Sequence, residues 1–137
     1  MDLGNGSLTV VIPVYNEVDN IQPLLERLGA ALASWPGALE ILFVDDGSTD
    51  RTLDLLKEAQ RSDSLLQGIR IAHFGRHLGQ TAAMAAGFRL ARGRAVATLV
   101  QRPARKVAWG HEWEVYRRPG SAHSQRRTPP ENLPIGL

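Results

Sequence analysis

The stretch EILFVDDGSTDRTLDLLKEA, Glu40 to Ala59, decides the fold. Its apolar run Ile41, Leu42, Phe43 and Val44 has the composition of a buried strand. The run ends in two adjacent carboxylates, Asp45 and Asp46, at what would be the carboxyl edge of a sheet, where open α/β folds place their ligands. Neighbouring carboxylates repel, so they require hydroxyl or amide donors, a cation or full solvation. Gly47 and Ser48 supply the turn and a helix N-cap. Capping of the next helix is an alternative use for both acids. Beyond the turn, Leu53, Leu56 and Ala59 mark the inner face of a helix, with Leu55 beside it.

The same unit recurs on either side. LTVVIPV, Leu8 to Val14, is a β-branched strand, and Ile21, Leu24, Leu25, Leu28 and Leu32 then recur at helical spacing. IRIAHF, Ile69 to Phe74, is a third strand. It leads through GRHLGQ into the alanine-rich helix TAAMAAGFRLARG, closed by Gly93 as its C-cap. Ala82, Ala83, Ala85 and Ala86 suit close packing of that helix on the sheet. AVATLV, Ala95 to Val100, is a fourth strand. Strand and helix in strict alternation imply right-handed βαβ units, hence an α/β, Rossmann-like parallel sheet with helices on both faces.

A change of composition near Val100 divides the chain. Residues 1–100 carry nine Lys and Arg against eleven Asp and Glu, whereas residues 101–137 carry seven against three. The second part also holds five of the eight prolines and two of the three tryptophans, with no evident periodicity. Residues 1–100 are therefore expected to form one α/β domain, followed by an irregular, basic, Pro- and Arg-rich tail over 101–137. Its cations, interleaved with Trp109, Trp113 and Tyr116, could suit RNA or an anionic membrane. Disorder without such a role is the preferred reading, and no nucleic-acid partner is expected. The chain has no cysteine, which excludes disulfides, thiolate metal sites and cysteine nucleophiles. MDLGNGSLTV lacks the pattern of a signal peptide and no apolar run approaches the length of a membrane span, so a soluble, cytoplasmic chain is expected.

Three carboxyl-edge loops converge in this arrangement: Pro13 to Glu17, Asp45 to Ser48, and Gly75 to Gln80. Tyr15 offers a planar face and a hydroxyl. Glu17, Asp45 and Asp46 offer acceptors for ribose hydroxyls and base N–H groups, and Arg76 with the amides around Gly79 suits a diphosphate. Together these groups describe a nucleotide site. Each residue also has a plainer use: Tyr15 as a packed edge aromatic, Glu17 as a first-turn acid, Arg76 as a surface cation. His73 and His77 lie four residues apart without a third ligand, and are read as ordinary packed or solvated histidines rather than metal ligands.

The segments VVIPVYNE, ILFVDDGSTDRT and FGRHLGQTAAMAAGFRLARG together resemble the three opening motifs of the family 2 glycosyltransferases. The likeness, from Leu8 to about Leu99, is strongest to the polyprenyl-phosphate hexosyltransferase branch that includes dolichol-phosphate mannosyltransferase. It implies the nucleotide-binding half of a GT-A fold and a nucleotide-diphosphate sugar ligand, a UDP- or GDP-hexose. By that resemblance Pro13, Tyr15 and Glu17 line the nucleotide, Asp45 holds the base edge and Asp46 lies near the ribose. Gly47 sits in the same turn, and Arg76 and Gly79 border the diphosphate.

The family's pattern breaks after the fourth strand. There such enzymes carry an Asp-x-Asp motif that binds Mg²⁺ or Mn²⁺ against the diphosphate; this chain reads Val100-Gln101-Arg102-Pro103-Ala104. Mg²⁺ or Mn²⁺ is expected for the complete family enzyme, but no metal ligand and no catalytic residue is assigned here. Codons for Gln-Arg-Pro-Ala can be read one base along as Ser-Asp-Leu-Gln, so a shift of frame would explain both the lost motif and the altered composition; a natural truncated variant and a recruited tail are the alternatives. The expected function is an inverting hexosyltransferase domain acting on a polyprenyl phosphate or glycan hydroxyl, truncated and inactive alone; complete relatives are often membrane-associated. The alternative is a non-catalytic nucleotide-binding or regulatory module that partners a full-length transferase subunit.

Overall fold

The central strands Leu8–Val14 and Leu39–Asp45 are buried along nearly their whole length, as a sheet covered on both faces requires, whereas the edge strand Ile69–His73 is only partly buried. The structure is a computed structural model that describes residues 6–62, 68–101 and 111–117, the backbone alone for 100, 101 and 111–117. In chain order the elements are β1 (Leu8–Val14), α1 (Val18–Leu32), β2 (Leu39–Asp45), α2 (Thr52–Arg61), β3 (Ile69–His73), α3 (Gln80–Leu90), β4 (Ala95–Gln101) and β5 (His111–Arg117). The strand order is β3-β2-β1-β4-β5; β1 to β4 are parallel and β5 runs antiparallel to β4. The order reverses between β1 and β4, and such a switch point opens a crevice at the carboxyl ends of the strands. Register brings three of those ends level, because Val14 lies opposite Asp45 and Asp45 opposite His73.

Alternation along the strands makes two cores. Val10, Ile12 and Val14 of β1, with Ile41 and Phe43 of β2, face α1 through Ile21, Leu24, Leu28 and Leu32, and α2 through Leu56. Val11, Leu42, Val44 and Val96 face α3. Burial of each such aliphatic side chain contributes roughly 1.5–3 kcal/mol, which fixes the helices to their faces. The alanine-rich helix packs close through Ala83 of the four alanines expected there, while Ala82 and Ala86 are half-buried and Ala85 is exposed. Ala83 and Gly87, one turn apart, are its buried residues. A Cβ on Gly87 would lie 2.2 Å from Val11 Cγ1.

At the amino edge, buried Glu40 gathers several donors. Its Oε2 accepts the Thr9 hydroxyl at 3.0 Å and the Arg92 N–H at 3.2 Å, while Arg70 donates to Oε1. Burial pushes the Glu40 carboxyl up, but the Arg70 hydrogen bond and charge, with the Thr9 and Arg92 donors, outweigh it and hold the group below the usual glutamate range. The cluster anchors the end of α3, since Gly93 N–H also donates to Thr9 Oγ1 at 2.8 Å.

Several local expectations change. Ser48 is not the N-cap of α2: the helix begins at Thr52, and the Thr52 N–H is taken by the Asp50 carboxylate at 2.9 Å. Gly93 lies beyond the end of α3, whose cap is Ala91. On α2 the buried residues are Thr52 and Leu56, with Leu55 and Ala59 half-buried against the core. The sheet also gains a strand, β5, in the stretch that showed no evident periodicity, where Trp113 and Val115 alternate with Glu112 and Glu114. The remaining tail residues, 102–110 and 118–137, lie outside the described residues, as does the expectation of disorder there.

Candidate functional site

The three loops predicted to converge are sewn together by hydrogen bonds. Asn16 takes a left-handed conformation, φ 48°, which asparagine tolerates better than most residues. This turn presents its N–H to Ser48 Oγ at 3.0 Å and its Oδ1 to the Thr49 N–H at 2.8 Å. Next to it the Glu17 N–H donates to Thr52 Oγ1 at 2.9 Å. The first and second loops are thereby held as one unit.

Asp45 lies at the centre of that unit with no exposed surface. Its Oδ1 accepts from the Ser48 hydroxyl and N–H, and its Oδ2 lies 2.8 Å from His73 Nδ1. Asp46 points to the third loop instead. Its carboxylate accepts the N–H groups of Leu78 and Gly79 and lies 2.9 Å from His77 Nδ1. The repulsion between adjacent acids is thus relieved by separate sets of donors. Gly47, which follows them, has φ +72°, and a Cβ there would lie 2.3 Å from the carbonyl carbon of Arg76. Only glycine lets the second and third loops approach so closely.

A cleft of about 230 Å³ opens beside these loops, lined by Pro13, Val14, Tyr15, Glu17, Asp46, His77 and Gln80. The Tyr15 and His77 rings stack at the cleft with centroids 4.0 Å apart and planes inclined by 27°. Of the residues singled out in the sequence, Pro13, Tyr15, Glu17 and Asp46 line the cleft. Gly47 and Gly79 shape its backbone, Asp45 is sealed behind it, and Arg76 is exposed outside the lining. His77, Gln80 and the bracing pair Asn16 and Ser48 add to that set. His77 lies between two residues already selected, Arg76 and Gly79, and that position was the available signal.

A divalent cation does not fit the described residues. No three His, Cys, Asp or Glu side chains converge among them, and the oxygens of Asp45 and Asp46 already accept from protein donors. Nor is any helix among the described residues long and apolar enough to cross a membrane.

Comparison with known proteins fits this geometry. Residues 9–99 match the glycosyl transferase family 2 model, and the chain belongs to that family. It is 45% identical over 92 residues to a dodecaprenyl-phosphate galacturonate synthase of Rhizobium johnstonii, covering 67% of this chain and 27% of the relative. It is 44% identical over 93 residues to an undecaprenyl-phosphate 4-deoxy-4-formamido-L-arabinose transferase of Edwardsiella ictaluri, covering 67% and 28%. Among solved structures, the mannosyltransferase PcManGT of Pyrobaculum calidifontis, in complex with GDP-Man and Mn²⁺, aligns with a TM-score of 0.58 at 26% identity, over 72% of this chain and 29% of that one. The fold is that of the GT-A glycosyltransferases. The chain spans about a quarter of the length of the curated relatives it matches.

Proposed function

We propose that this glycosyl transferase family 2 chain carries the nucleotide-sugar site of an enzyme that moves a sugar from a UDP or GDP donor to a polyprenyl phosphate. The observation that carries the reading is the carboxyl-edge cleft, where an exposed aromatic ring, two carboxylates and the amino end of α3 face one space. Tyr15 would stack against the base and Glu17 would accept from ribose hydroxyls or base N–H groups, while Asp46, its oxygens taken by the Leu78, Gly79 and His77 donors, would hold the third loop beside the ribose. Asp45, held by Ser48 and His73, would fix the floor from which the base edge is read. Arg76 and the loop at Gly79 would meet the diphosphate.

The acceptor and sugar classes come from the relatives, whose names specify a dodecaprenyl-phosphate and an undecaprenyl-phosphate product. The transferred group is then a hexose, a hexuronate or a modified pentose. No step is assigned to a metal, because the described donors do not form a cation site. The 137-residue chain is read as inactive alone because the sequence after its fourth strand, Gln101-Arg102-Pro103-Ala104, includes no carboxylate to hold a cation against the departing diphosphate.

Calorimetric titration with UDP and GDP tests the reading. Weak binding of one or both, lost in Asp45→Asn, is expected. A folded chain that binds neither nucleotide at millimolar concentration would overturn it.

A further inference from the structure

Two contacts fix the imidazole of His77, yet much of the residue remains open. Its ring stacks on Tyr15 at 4.0 Å, and Nδ1 lies 2.9 Å from Asp46 Oδ2 and 3.3 Å from the Asp46 carbonyl oxygen. Both oxygens act as acceptors, so Nδ1 carries the proton that points to them. The side chain is 52% exposed and lines the cleft.

The stack joins residues from different loops. Tyr15 stands at the end of β1, where its neighbours Asn16 and Glu17 are bonded to the second loop. His77 stands before α3 and is tied to Asp46. Tyr15 keeps 40% of its surface exposed although the imidazole covers one face, which leaves ring surface for a second planar group.

We propose that His77 is a positioning residue for nucleobase binding, the backing ring that fixes the plane of Tyr15 so that a base stacks on its open face as the third member of a column. This inference rests on the nucleotide-binding reading above and deepens it. A tyrosine without such a backing would have to be ordered when the base arrives. The preformed pair removes that cost and adds the attraction of offset aromatic rings. The imidazole plane is the operative feature, and the Asp46 contact orients it.

The test uses the full chain and four probes: uridine, UDP, GDP and inorganic pyrophosphate, each titrated calorimetrically against wild type, His77→Ala, His77→Asn and His77→Phe. Circular dichroism establishes folding first, and the Asn and Phe variants carry the comparison if Ala does not fold. Loss of the ring in Ala and Asn should weaken uridine, UDP and GDP by about 3- to 10-fold, the range for an aromatic pair. Phe, which keeps a ring without the Asp46 hydrogen bond, should stay within about twofold of wild type, since the stack and not the bond is retained. Pyrophosphate binding should not change in any variant. Wild-type affinity for the nucleotides in Ala and Asn, or a pyrophosphate loss equal to the nucleotide loss, overturns the proposal while the nucleotide reading stands. Failure of wild type to bind any of the three base-containing probes overturns both.

Discussion

The Gly79 N–H is shared by both carboxylate oxygens of Asp46, at 3.2 Å from Oδ1 and 3.0 Å from Oδ2. With the Leu78 N–H at 2.7 Å from Oδ1, this one side chain ties the end of β2 to the start of α3. It places the third wall of the cleft. Asp46→Ala removes the acceptor and leaves these amides without it, so a loss of roughly 1–3 kcal/mol is expected in urea denaturation. Amide exchange should accelerate selectively at Leu78 and Gly79. Unchanged protection there would show that α3 is positioned by other contacts.

Close approach of α3 to the sheet makes a second prediction. Since a Cβ on Gly87 would lie 2.2 Å from Val11 Cγ1, Gly87→Val must displace the helix or the strand. Overpacking of this kind typically costs about 1–3 kcal/mol. Space rather than backbone freedom sets the requirement, because the same helix carries Ala82, Ala83, Ala85 and Ala86 in ordinary helical conformation. A companion change, Val11→Ala, should recover part of the loss. If Gly87→Val is as stable as wild type by thermal melting, α3 does not rest against Val11 as closely as this contact requires.

The amino-edge cluster predicts a pH dependence. The Glu40 carboxyl is held below its ordinary value of 4.5 in the folded chain. A depressed folded value means that the unfolded chain takes up the proton first as pH falls. The stabilisation is therefore fully present above the ordinary glutamate range and is lost as pH falls through the lower folded value. Glu40→Gln should cost about 1.5–3 kcal/mol at neutral pH, as expected for hydrogen bonds to a buried charge. The gap between variant and wild type should narrow in acid. A gap that stays constant from neutral pH to below 4.5 would exclude an ionised Glu40 as its source.

The alternation of apolar strands with amphipathic helices was legible because its period is imposed by burial, as in Ile21, Leu24, Leu28 and Leu32. The convergence of Tyr15, Glu17 and Asp46 followed from the same pattern, since parallel strands bring their carboxyl ends to one edge. Long-range polar pairing was not legible. The Ser48 donation to Asp45 spans only three residues and was hidden by the competing use of that serine as a helix cap, but nothing local indicates that Asp46 turns toward Gly79 while Asp45 turns toward His73. Those choices depend on which loop lies opposite in space. His77 reads as an ordinary histidine for the same reason, because its partners Tyr15 and Asp46 are distant in sequence. The short alternation in β5 was masked by the arginines and prolines around it.

Sugar transfer is expected to be absent from the 137-residue chain and to require different residues after β4. Val11 of β1 pairs with Thr98 of β4, and three residues further along each strand stand Val14 and Gln101, so the end of β4 comes to the switch point beside the first loop. From Gln101 the sequence continues Arg102-Pro103-Ala104, a run that contains no carboxylate for a cation. Binding the donor in the cleft then stabilises the ground state without lowering the barrier for its departure. The experiment incubates the purified chain with UDP-glucose or GDP-mannose, Mg²⁺ or Mn²⁺ and a polyprenyl phosphate. In parallel it uses the product of a gene shifted by one base near codon 100 and continued into any downstream coding sequence. Transfer by the second protein alone is expected, and the metal should alter UDP or GDP affinity of the first only slightly. Sugar transfer by the 137-residue chain itself, abolished by Asp45→Asn, would instead place a catalytic group among its own residues.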